Sequence, residues 1–220
     1  MAQTPVYDLL PPIRQICRGC HTTTMNEAYI SAVRQFCHHT KWFLSTLAGT
    51  TAASTATYNL GSDAYSEIIG VNAISLTYSS SDIRDLERLS SAAWDPDAQT
   101  QVPEFFEYVP EAQFALHPTP DAAYPLTISL ILQPKIGSNS IEEALVSKWD
   151  HAFRAGALEY LMRIPGMAWT DKSEANRQFM LFEDWKNRGA SSAAKRNSVG
   201  VVPVQGWAGG LANRRPREVW

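Results

Sequence analysis

Residues Ser140–Arg188, SIEEALVSKWDHAFRAGALEYLMRIPGMAWTDKSEANRQFMLFEDWKNR, read as two long amphipathic helices joined by a short turn. Ser140-Ile-Glu-Glu143 has the pattern of a capping box, in which a serine side chain and a glutamate satisfy each other's free backbone N–H groups. The helix behind it is predicted to reach about Arg163, roughly 35 Å at 1.5 Å per residue. Ile141, Leu145, Trp149, Phe153 and Tyr160 form one apolar stripe, and Leu158, Leu161 and Met162 a second. So much apolar surface calls for cover on more than one side. Pro165-Gly166 breaks the helix. Asp171-Lys-Ser-Glu174 is a further capping pattern, and Ala175, Phe179, Phe182 and Trp185 follow on one face.

Upstream, residues 1–23 read as an extended or short helical lead-in interrupted by Pro11-Pro12. Thr24-Met-Asn-Glu27 is another capping box, opening a helix to about Lys41 with Ala28, Ala32, Val33, Phe36 and Cys37 along one side. From Trp42 to about Gln133 the texture changes. TATYNLGSDAYSEIIGVNAISLTY, VPEFFEYV and YPLTISLILQP are rich in aromatic and β-branched residues with Gly, Pro, Ser and Asp between them, the pattern of strands and turns. Ile83–Trp94 reads as one short helix within this region. The predicted class is therefore α+β. An antiparallel helical bundle of about three main helices, residues 1–41 and 136–198, carries a β-rich insertion at 42–135 and an extended C-terminal arm at 199–220.

At 220 residues, 45% hydrophobic and 19% charged, the chain has the composition of a soluble globular protein with a sizeable core. The net charge of −3 argues against a general nucleic-acid binder, yet it is unevenly placed. The segment from Lys186 to Trp220 carries +6 and the rest of the chain −9. No apolar run approaches the roughly 18–20 residues that span a bilayer, so no membrane partner is expected. The N-terminus lacks the basic and apolar regions of a signal peptide. Three cysteines, an odd number, with no export signal predict a chain made in a reducing cytoplasm without a disulfide framework.

Catalytic motifs are missing: the chain contains no G-x-S-x-G elbow, P-loop, G-x-G-x-x-G or H-E-x-x-H pattern, and no enzyme activity is expected. Asp150-His151 lies mid-helix, where adjacent side chains diverge by about 100° and form no relay; a solvated or interfacial surface is the better account. Glu142-Glu143 complement the positive end of the helix dipole. Cys17-Arg-Gly-Cys20-His21 matches C-x-x-C-H, the attachment signature of c-type haem, but that attachment follows export. Zinc has candidate ligands in Cys17, Cys20, His21, Cys37, His38 and His39. Cys37, however, falls on the apolar face of its helix, and His38 and His39 project from different faces. A turn before a helix, with Cys37 as a small buried hydrophobe, is the plainer reading, and neither metal nor cofactor is expected. A small metal- or haem-binding protein using Cys17, Cys20 and His21 is the alternative. The basic arm is a better functional candidate, because Trp207 and Trp220 are costly to leave in water, and tryptophan and arginine dominate interface hot spots.

In their order, VYDLLPPIRQICRGC, AYISAVRQFCHHTKWF, YNLGSDAYSEIIGVNAISL, LILQP, KWDHAFRAGALEYLMRIPGMAW and EANRQFMLFEDWKNRGA resemble the head-to-tail adaptor (connector) proteins of short-tailed bacteriophages, over nearly the whole chain to about Lys195. The resemblance implies a structural virion protein at the head–tail junction, assembled in the host cytoplasm. It would form a homo-oligomeric ring, typically of twelve subunits, under the portal protein. Such a ring extends the DNA channel, lets genomic DNA pass without sequence specificity, and offers a platform to tail nozzle or fibre proteins. The resemblance makes the helical part the ring wall, with Trp149, Phe153, Tyr160, Phe179, Phe182 and Trp185 as its packing residues. It makes Val199–Trp220 a portal-clasping arm, with Arg196, Trp207, Arg214, Arg215, Arg217 and Trp220 as candidate partner contacts.

Overall fold

A computed structural model describes residues 2–61, 64–79, 82–89, 100–109 and 112–198. Among the described residues the fold is mixed α+β, with four α-helices and several mostly antiparallel strand pairs. The chain opens with strand β1 (Gln3–Pro5), a 3-10 turn over Val6–Leu9 and helix α1 (Pro11–Ile16). The prolines that seemed to interrupt this region instead start α1, where Pro11 and Pro12 occupy its first two positions. A missing N–H costs nothing there, because the first-turn amides have no partner within the helix.

Helix α2 spans Thr22–Thr40 and buries Ala28, Ala32, Val33, Phe36 and Cys37, as its spacing predicts. It does not start with the capping box. His21 holds the N-cap position without a side-chain cap, and Thr24 already lies inside the helix. The preceding turn decides this start: Cys20 N–H donates to the Cys17 carbonyl at 3.1 Å, and Gly19 adopts a φ of 84° that favours glycine. At the other end Lys41 caps in the left-handed region with its N–H on the Cys37 carbonyl.

In the middle of the chain the described residues form two four-stranded sheets. The first, in the order β2 (Leu44–Thr50), β9 (Pro125–Pro134), β4 (Ser66–Ser79), β5 (Asp82–Asp85), is antiparallel. Its centre pairs Ile74 with Ile128 and Val71 with Leu130, and all four side chains are buried. The second runs β3 (Thr57–Asn59), β8 (Gln113–His117), β7 (Phe105–Val109), β6 (Glu87–Arg88), with β6 parallel to β7. The helix expected at Ile83–Trp94 is not formed in its described part. Asp82–Asp85 pairs along the exposed edge of β4, and Ile83 and Arg84 face solvent. Backbone pairing with an open sheet edge satisfies every second amide, which a short, mostly polar helix without a packing partner does not match. Residues 90–94 of that expectation lie outside the described residues.

Ser140 likewise does not cap a helix. Ser140–Glu142 forms β10, which pairs with β1 in the register Gln3–Glu142, Thr4–Ile141 and Pro5–Ser140. Helix α3 (Glu143–Met162) begins only after it, with Glu142 as N-cap and no side-chain cap bond. The remote N-terminal strand takes the backbone groups that a capping serine would have served. The third pattern holds: Asp171 Oδ1 accepts from the amides of Ser173 at 2.9 Å and Glu174 at 3.0 Å, and α4 (Lys172–Ser198) follows.

Between α3 and α4 the chain turns at Gly166 (φ 77°), and the Thr170 hydroxyl ties the turn by donating to the Ile164 carbonyl and accepting from Met167 N–H. α3 packs against both α2 and α4. Buried apolar residues form one cluster from Val6 through the helices into both sheets, as far as Phe114 and Leu132. Arg34 of α2 anchors the helices to the first sheet through Glu67 (2.7 Å) and the Pro134 carbonyl. No helix among the described residues is long and apolar enough to cross a membrane.

Candidate interaction surfaces

The alternative reading, a metal or haem site, rests on the cysteine–histidine segment. Cys17 and Cys37 are buried, Cys20 is half-buried and His21 is exposed. Among the described residues, no three of His, Cys, Asp and Glu come together in a group able to hold a metal ion. Burial, with a smaller contribution from Cys20, pushes the Cys17 thiol up to about 11, and burial also raises Cys20 and Cys37. Thiols whose pKa is raised by burial are weak nucleophiles. The segment works as a turn: Gly19 lies against Trp169 of the α3–α4 connection, so it props one end of the helices.

Asp150 is not a solvated surface group. Its Oδ1 accepts from the Tyr29 hydroxyl at 2.8 Å, and Oδ2 pairs with Arg154 one turn along α3. Tyr29 is fully buried, and burial together with the Asp150 charge raises its pKa. The triad is a polar clasp between α2 and α3, since a buried hydroxyl without an acceptor would cost about 1–3 kcal/mol.

Aromatic side chains gather where helices meet sheet. Trp149 stands 5.0 Å from Phe36, 5.8 Å from Trp42 and 6.4 Å from Trp185, ring centre to ring centre, and Phe153 lies edge-on to Tyr29 and Phe36. Cations cover the outer rings: Lys148 and Arg196 over Trp42, and Arg188 over Trp185. Arg196 also donates to the Trp42 carbonyl. The last turns of α4 are thereby latched to the point where the chain enters β2. Sequence reasoning assigned Arg196 to a partner, while the structure gives it this bond within its own chain. Arg196→Ala is expected to cost about 1 kcal/mol, the sum of a modest cation–π contact and one partly exposed hydrogen bond. Urea unfolding would show it, and an unchanged midpoint would remove the latch.

The remaining sequence-predicted residues divide sharply. Trp149, Phe153 and Phe182 are buried in the chain's own core and Trp185 is half-buried, so part of the apolar surface is already covered within the monomer. Tyr160, 53% exposed, and Phe179, 39% exposed, are left on the surface. Ile141 belongs to β10, not to the helical stripe. Trp207, Arg214, Arg215, Arg217 and Trp220 lie outside the described residues.

Two features escaped the sequence reading. The first is an apolar stripe on the outer side of α4, where Met180 is 68% and Leu181 42% exposed. The second is a groove of about 280 Å³ between α2 and the Ile136-Gly137 loop, lined by Asn26, Glu27, Ile30, Ser31, Arg34 and that loop. A wider, polar depression lies beside it, with Arg34, His38, His39 and Lys186 on its walls. The Phe179-Met180-Leu181 run was legible as an apolar triplet wider than one helix face can bury. The groove was not, because Ile136 meets α2 only through the fold.

In comparisons with known proteins, residues 21–203 match the family model described as SU10 adaptor protein. No match to the chain is found among curated proteins.

Proposed function

Given that the chain belongs to the SU10 adaptor protein family, a family of phage adaptor proteins, we propose that it is a structural virion component of the head–tail junction, assembling as a ring beneath the portal. The family match carries this reading, since it spans most of the helical part and the whole β-rich region. In it, α2, α3 and α4 form an antiparallel bundle that makes the ring wall, and residues 42–135 form a β-rich insertion facing neighbouring tail parts. Twelve copies extend the DNA channel, and the lower rim seats tail nozzle or fibre proteins. Residues 199–220 form the arm that engages the portal.

Two physical observations favour this reading. A ring closes through heterologous contacts between two different surfaces of one chain, and this chain has both an exposed apolar helix face and a separate open groove. An acidic body also suits a channel wall, because a surface that neutralises few phosphates does not hold passing DNA. The dispersed thiols and imidazoles give the metal-binding alternative no comparable support.

Native mass spectrometry of the full-length protein, alone and mixed with its portal, tests the proposal. Multiple copies bound per portal are the expected result, and a strict monomer that never binds portal would refute it. Deleting Val199–Trp220 is expected to leave thermal unfolding unchanged and to weaken portal binding by at least roughly 30-fold, the loss of one interface hot spot. Full affinity in the truncated chain would overturn the arm assignment.

A further inference from the structure

We infer that the outer face of α4 docks into the groove beside α2 on a second copy of this chain, with Met180 seated against Ile30 and Ile136. The inference rests on the ring reading above and specifies which two surfaces meet.

The two surfaces carry the same spacing with opposite signs. On α4, Arg177, Met180 and Asp184 follow one another at i, i+3 and i+7, and all three are exposed. On α2, Glu27, Ile30 and Arg34 occupy i, i+3 and i+7 along the groove. Seven residues span about 10.5 Å at 1.5 Å per residue on either helix. Laid parallel, the helices bring Arg177 to Glu27, Asp184 to Arg34, and Met180 level with Ile30. Laid antiparallel, they bring like charges together at both ends, so the charge order selects one orientation.

The apolar centre supplies the attraction. Met180 is 68% exposed on one surface and Ile136 81% exposed on the other, and the groove leaves about 280 Å³ between α2 and the Ile136 loop. Methionine is unbranched and flexible, suited to filling an irregular recess. The contact cannot form within one chain. The opposite side of α4 is the one turned toward α2, as Gly189 lies against Phe36 and Thr40, so Met180 points away from its own groove. The existing partners do not block docking. Arg177 holds Glu174 through two parallel bonds, which leaves three of its five N–H groups for a second carboxylate, and the exposed pair of Asp184 with Arg188 contributes little that would resist exchange. Arg34 holds Glu67 and the Pro134 carbonyl, and a guanidinium with five N–H groups has donors left over. Because the two surfaces differ, each copy offers one of each, and the contact repeats from copy to copy.

Charge reversal tests this on the full chain. Glu27→Arg and Arg177→Glu are each expected to weaken assembly by roughly ten-fold or more, since each sets like charges opposite each other. Both residues are exposed, so folding should be preserved, which circular dichroism would verify. Mixing the two variants is expected to restore assembly, because alternating copies then pair opposite charges at every contact. Met180→Asp should weaken assembly without rescue by either. Sedimentation velocity alone, and copy number on the portal by native mass spectrometry, read the result. Wild-type multi-copy assembly that survives both reversals, or a mixture that fails to recover, would overturn the interface and leave the ring standing. Single-copy binding or none by the wild type would overturn both. Variants that self-associate normally but lose portal binding would assign the stripe to the portal instead, which also overturns the inference.

Discussion

Gly156→Leu should unfold well below the wild type, with a loss of about 3 kcal/mol or more, which for a chain of this size is roughly 6–12 °C in Tm. Two effects oppose each other. Replacing a mid-helix glycine by a good helix former contributes about 1 kcal/mol of stability. Against it, a Cβ at residue 156 would lie 2.8 Å from the Ala32 Cβ and 3.1 Å from the Phe182 ring. The Ala32 carbon is fixed to the backbone of α2 and has no rotamer to give, so α2 and α3 would have to separate. Leucine adds three more carbons to the same space, and interiors at crystal-like density do not absorb such volume. Gly49→Ala in β2 is the control, because nothing lies within 4 Å of its added carbon; it should unfold within about 1 kcal/mol of the wild type. Equal unfolding temperatures for Gly156→Leu and the wild type would show that the helices do not approach so closely.

Trp149→Ala is expected to be as damaging, at about 3–5 kcal/mol, read from the urea midpoint. The indole is 5% exposed and fills the space between Phe36, Trp42 and Trp185. Three flexible or aromatic neighbours around one removed ring collapse only partly, so a cavity term adds to the lost burial. Trp149→Phe should cost much less, about 1 kcal/mol, because the buried Nε1 has no hydrogen-bond partner among the described residues to lose. Tyr160→Ala, in the same predicted stripe but 53% exposed, should fall within about 1 kcal/mol of the wild type. If Trp149→Ala and Tyr160→Ala had equal effects, the stripe would have one environment and the placement of Trp149 at the helix–sheet junction would be wrong.

Those two residues also show where sequence legibility stops. The 3.6-residue period located α2, α3 and α4, since a helix must gather its apolar side chains on one side whatever it meets there. The aromatic and β-branched content of YPLTISLILQP, set between turn residues, located β9. Periodicity states that a face is covered without saying by what. Trp149, Phe153 and Tyr160 looked equivalent, yet α2 and α4 cover the first two and leave the third to solvent. A second signal went unread: Ala152, Ala155, Gly156 and Ala157 form a run of small residues on α3, all buried, as expected where helix backbones approach closely.

Capping shows the same division at finer scale. Asp171 behaves as its local pattern predicts because its partners, the amides of Ser173 and Glu174, lie within three residues. Ser140 carries an equally good pattern and fails, because β1, more than 130 residues away in sequence, pairs with its backbone first. Asp150 looked like a surface residue until Tyr29, 121 residues earlier, supplied a buried donor.

Residue order alone therefore determined the α+β class, the positions of the main helices and strands, and the absence of catalytic motifs, since each follows from interactions within a few residues. The tertiary structure decided where two helices start, which aromatic rings are core, that Arg196 latches onto Trp42, and that Ile136 faces Ile30 across a groove. Each of these depends on groups far apart in the chain, whose meeting is fixed by the closure of the whole core and by no local pattern.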